Sequence, residues 1–166
     1  MVSPVLILQQ RGGAIVPPLS LERIDFMSEY TNAALQTVAV NQNVLFAETP
    51  VCGNNCINHR AGSGLVTVKG ATNQCRARYK AFFSGNIAIP TGGTVGAIAL
   101  AIAIDGEPVS ASSMIQTPAA VGVLNNVATE IYIDAPRGCC LSVSVKNIST
   151  QAINVQNANL IVERIA

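Results

Sequence analysis

Five cysteines and one histidine are the residues of this 166-residue chain best suited to metal or redox chemistry. Cys52-Gly-Asn-Asn-Cys56, His59 and Cys75 supply four donors, the number that a tetrahedral zinc site takes. The spacing C-x3-C-x2-H departs from the paired knuckles of common zinc folds, so two other readings stand beside it. One is a Cys52–Cys56 disulfide closing a small loop, if the protein ends up outside the cell. The other is reduced thiols throughout, which the odd cysteine count favours. Vicinal Cys139-Cys140 would alternate faces on a strand, one thiol toward the core and the other outward. No metal and no cofactor are expected.

Any histidine-based triad would have to use His59, and no nucleophile elbow, metalloprotease helix or phosphate loop accompanies it. A loop-stabilising histidine is the simpler reading. The nine acidic residues are scattered. A glycosidase needs two of them to converge across a cleft, and nothing in the pattern pairs them. Asp105 and Glu107 flank a turn, where Asp has a local reason to sit, and their spacing is not that of a calcium hand. Arg76, Arg78 and Lys80 form a stripe that either contacts phosphate or an acidic partner, or protects a solvated sheet face. Three tyrosines and no tryptophan leave little for stacking sugars. Asn147-Ile-Ser149 is a formal glycosylation sequon. The chain is therefore expected not to be an enzyme.

The elements that position these residues are strands. Ile98, Leu100, Ile102 and Ile104 point one way, while Val95, Ala97, Ala99, Ala101 and Ala103 point the other. This period of two, ending in Asp105-Gly106, is a strand running into a tight turn. The large face suits a sandwich core. The alanine face is apolar where an exposed strand carries polar residues, so a second copy of the chain is expected to cover it.

Alternation recurs through Val38/Val40/Val44/Phe46, Gly64–Lys69, Cys75–Ser84, Val127–Ile133, Leu141–Val145 and Ile153–Ile165, with a change of phase near Asn157 that suggests a bulge. The fold class is all-β: an antiparallel jelly-roll sandwich of about eight to ten strands. Residues 31–166 form that domain. Residues 1–30 read as an extended N-terminal arm, with Val5, Leu6, Ile7, Leu8, Ile15 and Val16 as anchor residues. Either the arm docks on a larger assembly or it is a floppy terminus.

Apolar residues make up 49% of the chain and charged residues 11%, with a formal net charge of +1. That balance gives no footprint for nucleic acid or an anionic membrane, and neither nucleic acid nor any membrane is an expected partner. No run approaches the roughly 20 apolar residues of a membrane span, and the start lacks the basic residues of a signal peptide. Synthesis in a cytoplasm is the expectation. So little charge points to surface that is covered in the working state, as in an obligate oligomer.

The succession Asn43–Phe46, Ser63–Val66, Ala77-Arg-Tyr-Lys-Ala-Phe-Phe-Ser-Gly-Asn86, Ala99–Glu107 and Leu141–Ser149 resembles the trimeric jelly roll of tumour necrosis factor and the complement globular heads. Ala158-Asn-Leu-Ile-Val-Glu-Arg164 resembles that family's final strand. More particularly, the chain is similar to accessory virion proteins of tailed phages and prophages. The resemblance implies a homotrimer whose inner sheets meet around a threefold axis. It also implies a structural virion protein, a capsid decoration or head-fibre component. The N-terminal arm would hold it to the major capsid protein or another virion subunit. The alternative is a receptor- or glycan-binding module at a fibre tip or on a cell surface. The collagen-like repeat that precedes some members is missing.

Overall fold

The computed structural model describes residues 27–53 and 55–166. They form β1 (Met27–Asn32), β2 (Gln36–Val38), β3 (Glu48–Val51), β4 (Ile57–His59), β5 (Val66–Lys69) and β6 (Arg76–Ala88). There follow β7 (Ile98–Ile104), β8 (Glu107–Pro108), a 3-10 turn (Ser110–Ser112) and β9 (Met114–Gln116). The last strands are β10 (Asn125–Pro136), β11 (Cys140–Asn147) and β12 (Ile153–Arg164). Every pairing between these strands is antiparallel. One sheet runs β10-β6-β12-β1-β3, with β2 also on β12; the other runs β4-β5-β11-β7-β8, with β9 also on β7. This is the expected jelly-roll sandwich.

Period-two patterning decides which side chains fill it. On β6 Ala77, Tyr79, Ala81 and Phe83 are fully buried, while Arg76 and Arg78 are exposed and Lys80 and Phe82 half-buried. Leu160 and Val162 of β12, and Leu100 and Ile102 of β7, meet them in one continuous core. Burying each large side chain contributes roughly 1.5–3 kcal/mol. The β12 phase change is a bulge: its register against β6 shifts between Gln156 and Asn159, and Asn157 takes φ 54°. Asp105 (φ 50°) and Gly106 (φ 85°) make the left-handed turn that closes β7 onto β8.

Three expectations need correcting. The sheet takes in residues 27–30, assigned above to the arm, because Met27–Asn32 pairs residue for residue with Glu163–Ala158. The anchor residues Val5, Leu6, Ile7, Leu8, Ile15 and Val16 lie outside the described residues. The alternation Val38/Val40/Val44/Phe46 does not form a single strand. β2 stops at Val38, and Val44 and Phe46 reach the core from an irregular segment while Val40 stays 40% exposed. The central strand is also shorter than expected, beginning at Ile98, so Val95 and Ala97 belong to the loop before it.

The sandwich has two unlike ends. One gathers Met27, the Cys52–Cys56 loop, the connection from Gly70 to Cys75, the 137–139 turn and Arg164. The other gathers the connections following β2, β6, β9 and β11.

Candidate functional site

The structure disperses the proposed zinc set. His59 stacks its ring 4.5 Å from Tyr30, and its Nε2 lies 2.9 Å from the Ser63 carbonyl. Cys56 Sγ instead receives a hydrogen bond from Arg164 Nη1 at 3.2 Å, and Cys75 is exposed. Among the described residues no three of His, Cys, Asp and Glu could hold a metal ion. None of the five cysteines is in a disulfide, and both Cys139 and Cys140 are exposed, since they lie where the chain turns into β11 outside the core. His59 Nδ1 is buried without a hydrogen bond, which marks a packed ring rather than a base facing substrate.

The charged candidates are neutralised locally. Arg78 donates to both carboxylate oxygens of Asp134 at 2.7 and 2.9 Å, and Arg76 lies 3.2 Å from the same group. The Arg78 hydrogen bond holds the Asp134 carboxyl below its usual range and pushes the guanidinium up. Lys80 sits 3.8 Å from Glu163 and 4.0 Å from Glu130. Asp105 accepts hydrogen bonds from the Ser142 backbone and hydroxyl, so it fastens β11 to the turn. Burial raises the phenols of Tyr30 and Tyr79, and Tyr79 donates to the Lys69 carbonyl at 2.6 Å.

The sequon Asn147 is a structural hub. It has no accessible surface, and its amide donates to the carbonyls of Val38, Ala39 and Gln151 while its Oδ1 accepts from Ser149 N.

The alanine face also differs from expectation. Ala101 and Ala103 are fully buried within a single chain and offer no area to a neighbour. Lys146 stands opposite Ala101, yet its ammonium donates to the Gly106 carbonyl at 3.0 Å. Its stem must therefore run along the outer face of β7 past Ala103, and small side chains leave room for it. Of the proposed interface set, Val95 and Ala97 are exposed and Ala99 half-buried.

A better candidate lies on the opposite sheet. The outward side of β10-β6-β12-β1-β3 carries Phe82 and Ile161 directly paired across β6 and β12. Around them stand Tyr132 at 63% exposure, Met27 at 41% and Val51 at 36%. Charged residues interleave with them: Glu130 and Glu29 stand on either side of the Phe82/Ile161 pair, and Glu163 and Lys80 lie between Met27 and Tyr132 in the next row. Lys80 pairs with Glu163 and Glu130, and Glu29 accepts from Asn159 at 2.7 Å, so the face holds a small apolar centre among mutually satisfied polar groups. Phe82 follows the Arg76/Arg78/Lys80 stripe on the same outward face, and only its pairing with Ile161, roughly 80 residues away in sequence, makes an apolar patch of it.

The described residues form a jelly-roll sandwich with no assembled catalytic centre among them. The fold is the one shared by tumour-necrosis-factor proteins and complement globular heads. The globular domain of zebrafish complement 1qA protein superposes with a TM-score of 0.61 at 14% identity, covering 85% of this chain and 98% of that one. Eiger TNF from S. frugiperda gives 0.61 at 10% identity, over 85% and 92%. Murine APRIL gives 0.58 at 9% identity, over 83% and 98%. No family model and no curated protein matches the sequence.

Proposed function

We propose that this chain is a non-catalytic structural module that works as a homotrimer, with the Phe82/Ile161 face turned toward the threefold axis. The observation that carries this is the apolar pair Phe82 and Ile161, side by side in the middle of the sheet's outward face, with Tyr132 and Met27 in the next row. Three such faces closing on one another remove that pair from water. The low charge of the whole chain supports a surface largely covered in use.

Within this reading the trimer is a virion component, a capsid decoration or head-fibre protein. The arm holds it to the major capsid protein or a neighbouring virion subunit. The apolar residues Val5–Leu8 support the docking role.

Light scattering at micromolar concentration should give three times the chain mass. Phe82→Asp and Ile161→Asp should give monomers with the strand signal of circular dichroism retained, because both side chains point out of the core. A wild-type monomer would refute the trimer. Loss of particle binding on deleting residues 1–26, with the trimer intact, tests the anchor; unchanged binding would refute it.

A further inference from the structure

The end of the sandwich away from Met27 and Arg164 has an unusual surface. Four connections meet there: residues 39–42, 89–97, 117–124 and 148–152. None contains a Lys, Arg, Asp or Glu. In the third connection, Ala119-Ala-Val-Gly-Val-Leu124 presents six consecutive exposed residues without one polar side chain. Val121 is 38% exposed, Val123 42% and Leu124 45%; Val95 of the second connection reaches 52% and Val40 of the first 40%. Runs of exposed apolar residues this long are absent from ordinary soluble surfaces unless something uses them. Gln151 clasps Thr94 through two hydrogen bonds and so ties the fourth connection to the second, and the 119–124 loop is itself held by Gly122 N donating to the Ile89 carbonyl at 2.9 Å. Its valines and leucine are thus kept outward instead of folding back on the core.

We propose that this end is a lipid-contacting tip, whose 119–124 loop enters the headgroup–acyl boundary of an electrically neutral bilayer. Two features choose lipid over a protein partner. Protein interfaces surround an apolar centre with a polar and charged rim that fixes register, whereas these four connections have no charged rim at all. A bilayer, by contrast, penalises charge at depth and rewards aliphatic side chains. The absence of Lys and Arg here also excludes attraction to anionic headgroups, so the contact is apolar and insensitive to salt. It departs from the expectation of no membrane partner, which rested on overall charge and on the lack of a spanning segment and took no account of an apolar loop tip. The inference rests on the proposed trimer in one respect: a threefold axis along the strands sets three loops side by side on one plane and multiplies a weak single contact.

Flotation of the full chain with phosphatidylcholine vesicles tests this, at low and high salt, beside Leu124→Asp and Val121→Asp. Both positions are exposed, so the variants leave the core intact. Wild type should float equally at both salt concentrations, and each variant should lose binding by about tenfold or more at unchanged oligomeric mass. Wild type remaining with the unbound fraction overturns the proposal. So does binding confined to phosphatidylglycerol vesicles and released by salt, which would mean attraction through basic residues elsewhere. Pairing of copies that Leu124→Asp abolishes, without vesicle binding, would make the occupant a second copy and overturn it too. A monomer that floats refutes the trimer and leaves the tip standing; a trimer that does not float does the reverse.

Discussion

Replacing Asn147 tests whether its amide is structural. Its two amide hydrogens serve three carbonyls, at 3.0 Å to Val38, 3.2 Å to Ala39 and 3.0 Å to Gln151, so one hydrogen is shared. Oδ1 takes the Ser149 N–H at 2.8 Å. Asn147→Ala leaves that N–H unpaired in a buried place, while the Ala39 carbonyl keeps its bond from Gln42 N. The loss is therefore dominated by one buried donor and two carbonyls. It amounts to about 2–4 kcal/mol, or roughly 6–12 °C in Tm for a domain of this size. Asn147→Asp should be worse than Ala despite being closer in shape. It retains the acceptor for Ser149 but turns a carboxylate toward three carbonyl oxygens. Thermal unfolding followed by circular dichroism measures both. A drop under about 3 °C for Ala, or Asp more stable than Ala, would show that the hub reasoning is wrong. Offered to an oligosaccharyltransferase after folding, Asn147 should stay without sugar, since the folded chain leaves its amide no accessible surface.

Gly70→Ala should cost about 2 kcal/mol or more, because a Cβ there would run into the Pro136 carbonyl oxygen; a denaturant midpoint unchanged from wild type would contradict this. The Arg78–Asp134 pair should give a carboxyl titrating below the ordinary carboxylate range by NMR, returning upward in Arg78→Gln. Because the folded value is the lower one, any stability from the pair is complete above about pH 4 and fades as pH falls through the folded value. Solvent exposure keeps that contribution small, and a wild-type advantage that grew on acidification would have the wrong sign.

The sandwich was legible wherever one face is buried and the other wet. β6, β10, β11 and β12 announce themselves through alternation, and the Asn157 bulge shows as a slip in phase. What could not be read depends on partners distant in sequence. Ala101 and Ala103 look uncovered until Lys146 is seen across the strand pair. Met27–Tyr30 mixes polar and apolar residues in too short a run to signal a strand, and only pairing with β12 makes it one. Asn147 carries the pattern of a surface sequon, and nothing local reveals that three carbonyls enclose it. The zinc spacing failed for the same reason: Cys56 and His59 are three residues apart but turn to different neighbours, Arg164 and Tyr30. The charge-free end was present in the sequence all along, but in four separate pieces that only the topology brings together.

The place of β12 in its sheet also governs when the protein can fold. β1, β2 and β6 all lie against it, and Met27 meets Glu163 across roughly 130 residues of chain. During synthesis β6 and β10 can pair once β7 to β9 have emerged between them, but β1 has no neighbour on that side until the final strand has left the ribosome. The nascent chain therefore waits with its sheet split down the middle and two strand edges open. A chaperone, or a slow approach of the last strand, would meet the protein at that stage. Refolding from denaturant should be correspondingly slow for a domain this small, with β1 protected from hydrogen exchange no sooner than β12.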